Sequence, residues 1–177
     1  MKKILLIALL LFVSFEAFSQ ITRTIWGVSL GNSSKQQVRN MLVNKGYYVE
    51  SSRDGTLSIS DDSIFFGGCV WNCVTFAFVD GKLSDVMFQN NDKNIDVFST
   101  YRNLDKTLSN KYKSFLKQVP LNLNGSDSDS DNWMTISDRD TRVYLATKKQ
   151  SGINFIILQY EDSMLAITRS ISGKNEL

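Results

Sequence analysis

Cys69 and Cys73 are the two most reactive side chains in a chain of 177 residues that contains no histidine. The missing imidazole removes every Ser-His-Asp and Cys-His nucleophile system. It also removes nearly all familiar zinc and non-haem iron sites, which two thiols alone cannot complete. No phosphate-binding glycine loop, basic-aromatic stripe or paired acid and base is present, so no catalytic residue, metal ligand or cofactor is assigned. The cysteines themselves are four residues apart. In an extended strand that spacing spans about 13 Å, beyond the roughly 7 Å between Cα atoms that a disulfide tolerates. A turn at Val70-Trp71-Asn72 would bring Cys69 opposite Cys73, Phe66 opposite Phe76 and Ile64 opposite Phe78, placing the large apolar residues on one face. The favoured expectation is a disulfide between Cys69 and Cys73, as a structural staple. The competing reading is two buried thiols in one strand, bulged at Gly67-Gly68.

That turn would put Trp71 at a hairpin tip, where a large aromatic serves as a contact anchor; the alternative is an indole folded back over the sheet. Tyr47 and Tyr48 are candidate contact residues of the same kind, whereas Trp26 and Trp133 read as core edges. Asp127, Asp129 and Asp131 stand at positions 1, 3 and 5 of a calcium-loop pattern. Asn132 replaces its glycine and Asp138 its bidentate glutamate, so the reading adopted is a solvated acidic loop. Asp61-Asp62, Asp138 and Asp140 flank strands at turns, where aspartate satisfies backbone donors.

The elements that must position these residues are two helices, each followed by strands. Ser34-Lys35-Gln36-Gln37 is a capping box, followed by Val38, Met41 and Leu42 on one face and Gly46 as a stop. The second helix runs from about Asp96 to Leu116, with Val97, Tyr101, Leu104, Leu108, Tyr112 and Phe115 in one stripe, and Pro120 closes it. Asp54-Gly55 and Asp80-Gly81 each mark a hairpin turn. Strands are expected near 47–52, 56–60, 63–68, 73–79 and 83–89, and again near 132–137, 142–148, 153–160 and 164–170. The fold class is therefore α+β: two helix-plus-antiparallel-meander units, about 25–90 and 95–170, with the helices on one face of a sheet.

The first nineteen residues read as a signal peptide: Lys2-Lys3, an apolar run over 4–13, then Ala17-Phe18-Ser19 before Gln20. The run is shorter than the roughly 20 residues of a membrane span. Residues 20–177 are expected to form one domain, with 18 basic and 17 acidic residues. So even a balance gives no footprint for nucleic acid.

The stretch from Leu30 to Leu42 resembles the Gly-x-Ser/Thr-x-x-x-Val-x-x-x-Leu opening of small bacterial envelope domains. These include the SmpA/OmlA outer-membrane assembly lipoproteins and the β-lactamase-inhibitor-protein-like fold, a tandem of helix-plus-hairpin units on one sheet. The string Phe66-x-Gly68-x-x-Trp71-x-x-Val74-x-Phe76-x-Phe78 with Asp80-Gly81-Lys82-Leu83 is similar to the strand-and-turn signature of such domains. The resemblance implies fold and compartment, and transfers no functional residue. The expectation is a periplasmic or secreted protein-interaction module that holds another envelope or extracellular protein. A small carboxylate-based hydrolase and a small-molecule carrier are the alternatives.

Overall fold

Residues 20–118, 132–150 and 152–172 are described by the computed structural model. The chain opens with a two-stranded ribbon, β1 (Thr24–Ile25) and β2 (Val28–Ser29), turned through Trp26 and Gly27 at φ 53° and 90°. Helix α1 (Lys35–Asn44) follows. Ser34 N–H donates to Gln37 Oε1 at 2.8 Å and Gln37 N–H to Ser34 Oγ at 3.3 Å, so the capping box forms as its residues predict. Val38 and Leu42 are the residues α1 buries.

Three hairpins come next: β3 (Glu50–Ser51), β4 (Leu57–Phe66), β5 (Cys69–Val79) and β6 (Lys82–Asn90). The turn between β5 and β6 falls on Asp80 and Gly81, both at positive φ (49° and 74°), with Val79 paired to Lys82. Two positive φ values in a two-residue loop match the twist of the flanking strands. Helix α2 (Val97–Lys111) starts at Asp96, whose carboxylate accepts from Ser99 N–H at 3.0 Å, and buries Val97, Leu104 and Leu108. The chain finishes with β7 (Leu116–Gln118), β8 (Trp133–Ser137), β9 (Thr141–Gln150), β10 (Ile153–Asp162) and α3 (Ser163–Ser172).

Strands β3 to β10 form one antiparallel sheet in the order β3-β4-β5-β6-β10-β9-β8-β7. The architecture is α+β. One face is the core: Leu57, Val74, Phe76, Val86, Phe88, Met134, Ile136, Val143, Leu145, Ile156 and Leu158 meet Ile21, Ile25, Val28 and Leu30 with the buried sides of α1 and α2. Arg23 anchors the N-terminal segment, donating to Asp140 O at 2.7 Å and Leu30 O at 3.0 Å and pairing with Asp162. Asp138 accepts from Ile21 N–H at 2.8 Å and from Asp140 and Thr141 N–H, so both carboxylates hold loops.

Four expectations fail. The segment 164–170 is helix and not strand, because Asp162 Oδ1 accepts from Met164 and Leu165 N–H at 3.0 and 2.9 Å and caps a new first turn. The segments 56–60 and 63–68 are one strand, bulged where Ser60 pairs with Cys73 and Ile64 with Trp71. The second helix stops at Lys111 and frees residues for β7, which periodicity did not foretell. The third helix lies on the face opposite the core, where Arg169 reaches Ser84 and Asp85, so the helices do not all share one side. Residues 1–19 and the Asp127–Asp131 pattern fall outside the described residues.

The candidate site on the open sheet face

The Cys69–Cys73 disulfide is not formed, and both thiols are free. The hairpin turns three to four residues earlier than the disulfide requires, through Gly67 and Gly68 at φ 64° and 83°, which pairs Phe66 with Cys69 and Ile64 with Trp71. Both cysteines then lie on the single strand β5, where extended backbone keeps them apart. Burial raises the Cys69 thiol pKa, which makes it a poorer nucleophile.

Trp71 is corrected by the same shift. It points into the core at 0% exposure, its indole N–H donates to Phe66 O at 2.9 Å, and its ring lies 5.7 Å from Phe88. It is no contact residue. Tyr47 is half-buried and stacks on Trp26 at 6.2 Å, while Tyr48 is 82% exposed. These residues converge on no common site. The aromatic exposed near the hairpin tip is Phe65, beside Val70 across the β4–β5 ladder.

The sheet itself supplies a surface. In β8 the alternation buries Met134 and Ile136 and turns Trp133, Thr135 and Ser137 outward. Register carries that face across the neighbouring strands. Trp133 pairs with Ala146 and Ala146 with Ile157; Gln118 pairs with Thr135, Thr135 with Tyr144, Tyr144 with Gln159 and Gln159 with Met87. One rung further on, Ser137, Arg142, Glu161 and Asp85 stand side by side. Trp133 and Tyr144 are therefore diagonal neighbours, close enough for large rings to share one contact patch. Gln118, Trp133, Thr135, Ser137, Arg142, Tyr144, Gln159 and Glu161 line an open concavity of about 620 Å³.

Charge on this face is paired. Arg142 Nη1 lies 3.2 Å from Glu161 Oε2. Asp85, 4% exposed, accepts from Gln159 Nε2 at 2.6 Å, from Ser84 Oγ at 2.7 Å and from Arg169 of α3 at 2.6 Å. Burial, then the neighbouring Asp85 charge, raises the Glu161 pKa against the pull of Arg142 and Arg169. Both carboxylates hold arginines, and the hydroxyls of Thr135 and Ser137 have no imidazole to activate them. Among the described residues no group of three or more metal-ligating side chains assembles, and no helix is long and apolar enough to cross a membrane.

Trp133 was missed by a reading that placed it at the core edge. The signal was available in the alternation Trp-Met-Thr-Ile-Ser, which cannot bury Met134 and Ile136 without presenting Trp133. The Gly-Gly dipeptide that sets the true hairpin was likewise visible, and its two-residue turn chemistry outranks a bulge. No family model matches the chain, and neither the curated proteins nor the solved structures contain a significant match to it.

Proposed function

We propose that the chain is a non-catalytic protein-interaction module of the periplasm or the extracellular space, and that the open sheet face is its recognition surface. The observation that carries this reading is the outward set Trp133, Tyr144, Arg142 and Met87 on one register-locked face. Tryptophan, tyrosine and arginine dominate binding hot spots, and methionine is enriched in interface cores. The face is built on continuously paired strands, so little backbone ordering opposes binding. Its paired charges leave shape and aromatic contact to set specificity. The sheet order is consistent with two helix-plus-meander units, α1 with β3–β6 and α2 with β7–β10, joined through β6 and β10. Such a tandem widens one face beyond what four strands offer.

The test begins with affinity capture by the tagged chain from the compartment it is exported to, followed by titration of the purified partner. Trp133→Ala should weaken that complex by about 2 kcal/mol, roughly 30-fold, while its urea midpoint falls by no more than about 0.5 M. Capture indifferent to both Trp133→Ala and Tyr144→Ala defeats the proposal. Turnover of a substrate abolished by Glu161→Gln would favour the carboxylate hydrolase instead.

A further inference from the structure

Helix α3 is mounted with its apolar side outward. Met164, Ile167 and Ile171 are 64%, 53% and 57% exposed, and their spacings of three and four put them within about 60° of one another around the helix axis. The opposite side carries Leu165, Ala166 and Arg169, of which Leu165 and Ala166 are half-buried. Arg169 holds that side to the sheet through Asp85 at 2.6 Å and through Ser84, and Asp162 fixes the first turn. A helix seated by its polar clamp and showing its apolar stripe to water inverts the usual burial pattern.

Three occupants are physically available. A second copy laid stripe to stripe would bury on the order of 300 Å² per protomer, well short of the roughly 800 Å² of a stable interface. A lipid surface would call for lysines and arginines flanking the stripe. Among the described residues its flanks are Ser163, Thr168 and Ser170, and the one cation there, Arg169, is already engaged with Asp85. The third occupant is a protein with an apolar groove, which recognises a helix through anchors at i, i+3 and i+7. Those are the positions of Met164, Ile167 and Ile171.

We propose that α3 is a second docking element, inserted over about 10 Å of its length into an uncharged apolar groove of a partner protein. This proposal is independent of the sheet face, because Trp133 and Tyr144 contribute nothing to the stripe.

The experiment places a photoreactive phenylalanine analogue singly at each position from 163 to 171 of the full chain, in the cells that produce it. The expected result is an adduct of one protein mass at 164, 167 and 171, with none at 163, 166 or 170. Ile167→Asp should then abolish the adducts from 164 and 171 while the urea midpoint of the purified chain stays unchanged. An adduct of twice the chain mass, a phospholipid adduct, adducts without helical periodicity, or none at all would each overturn the proposal. So would a lowered urea midpoint in Ile167→Asp, since it would place the stripe in the core.

Discussion

Trp71 offers the sharpest test of the hairpin register. Its indole is fully buried, and its N–H donates to Phe66 O at 2.9 Å. Truncating a buried tryptophan to alanine costs about 3–5 kcal/mol, the lost transfer energy plus the cavity that remains. Trp71→Phe keeps an aromatic ring but removes the hydrogen bond, about 1 kcal/mol, and part of the buried ring, for a total near 2 kcal/mol. With a urea dependence of about 2 kcal/mol per M, the midpoints should fall by roughly 1 M for Trp71→Phe and roughly 2 M for Trp71→Ala. Far-UV circular dichroism follows unfolding without relying on the fluorophore being changed. Trp133→Ala is the control, because Trp133 is only half-buried, on the outward face of the sheet, and its loss should cost at most about 1 kcal/mol. If Trp71→Ala and Trp133→Ala share one midpoint, the register that buries Trp71 is refuted.

Freshly purified, unreduced and denatured protein should release two titratable thiols, from Cys69 and Cys73; a thiol count of zero would restore the disulfide. Gly67→Ala should cost about 1–2 kcal/mol, because alanine must adopt φ near 64° in the β4–β5 turn, and an unchanged urea midpoint would refute that turn. Gly31→Ala should be worse than its φ of 77° alone demands. The new Cβ would stand 2.6 Å from Asp162 Oδ2 and 2.7 Å from Arg23 Nη2, so Asp162→Asn should lose most of its own effect in that background. Glu161 has a raised pKa in the fold, so its contribution to stability is full below the ordinary glutamate value of about 4.3 and is lost as pH rises through the folded value. Glu161→Gln should therefore melt higher than the parent at pH 7, with the difference vanishing near pH 4; a mutant that melts lower at pH 7 contradicts the burial argument.

Local chemistry was legible where one residue decides one backbone event. The capping box at Ser34, the helix start at Asp96 and the Asp80-Gly81 turn all form as their residues predict. Register was harder, because a shift at Gly67-Gly68 reverses which side chains face the core. Placing the turn at residues 70–72 exposed Trp71, whereas placing it at the glycine pair buries it. The 164–170 segment reads as a strand from its apolar content, although the spacing of Met164, Ile167 and Ile171 follows the helical period and not the alternation of a strand. The deciding group, Asp162, lies two residues before the segment and acts through its cap. The binding face escaped notice for another reason: it is assembled from Gln118, Trp133, Tyr144 and Gln159, which only strand register brings together.

The position of β10 governs the order in which this molecule can be completed. The last strand of the sheet in sequence sits in its middle, with β6 on one side and β9 on the other. Until Ile153–Asp162 leaves the ribosome, β6 and β9 are both open edges. The chain is then two sheet fragments that share no ladder. Closure joins residues as distant as Asp85 and Glu161, a non-local pairing that slows folding. A truncation before residue 153 would thus do more than trim a terminus. It would leave two unpaired edges, of the kind that recruit strands from other chains.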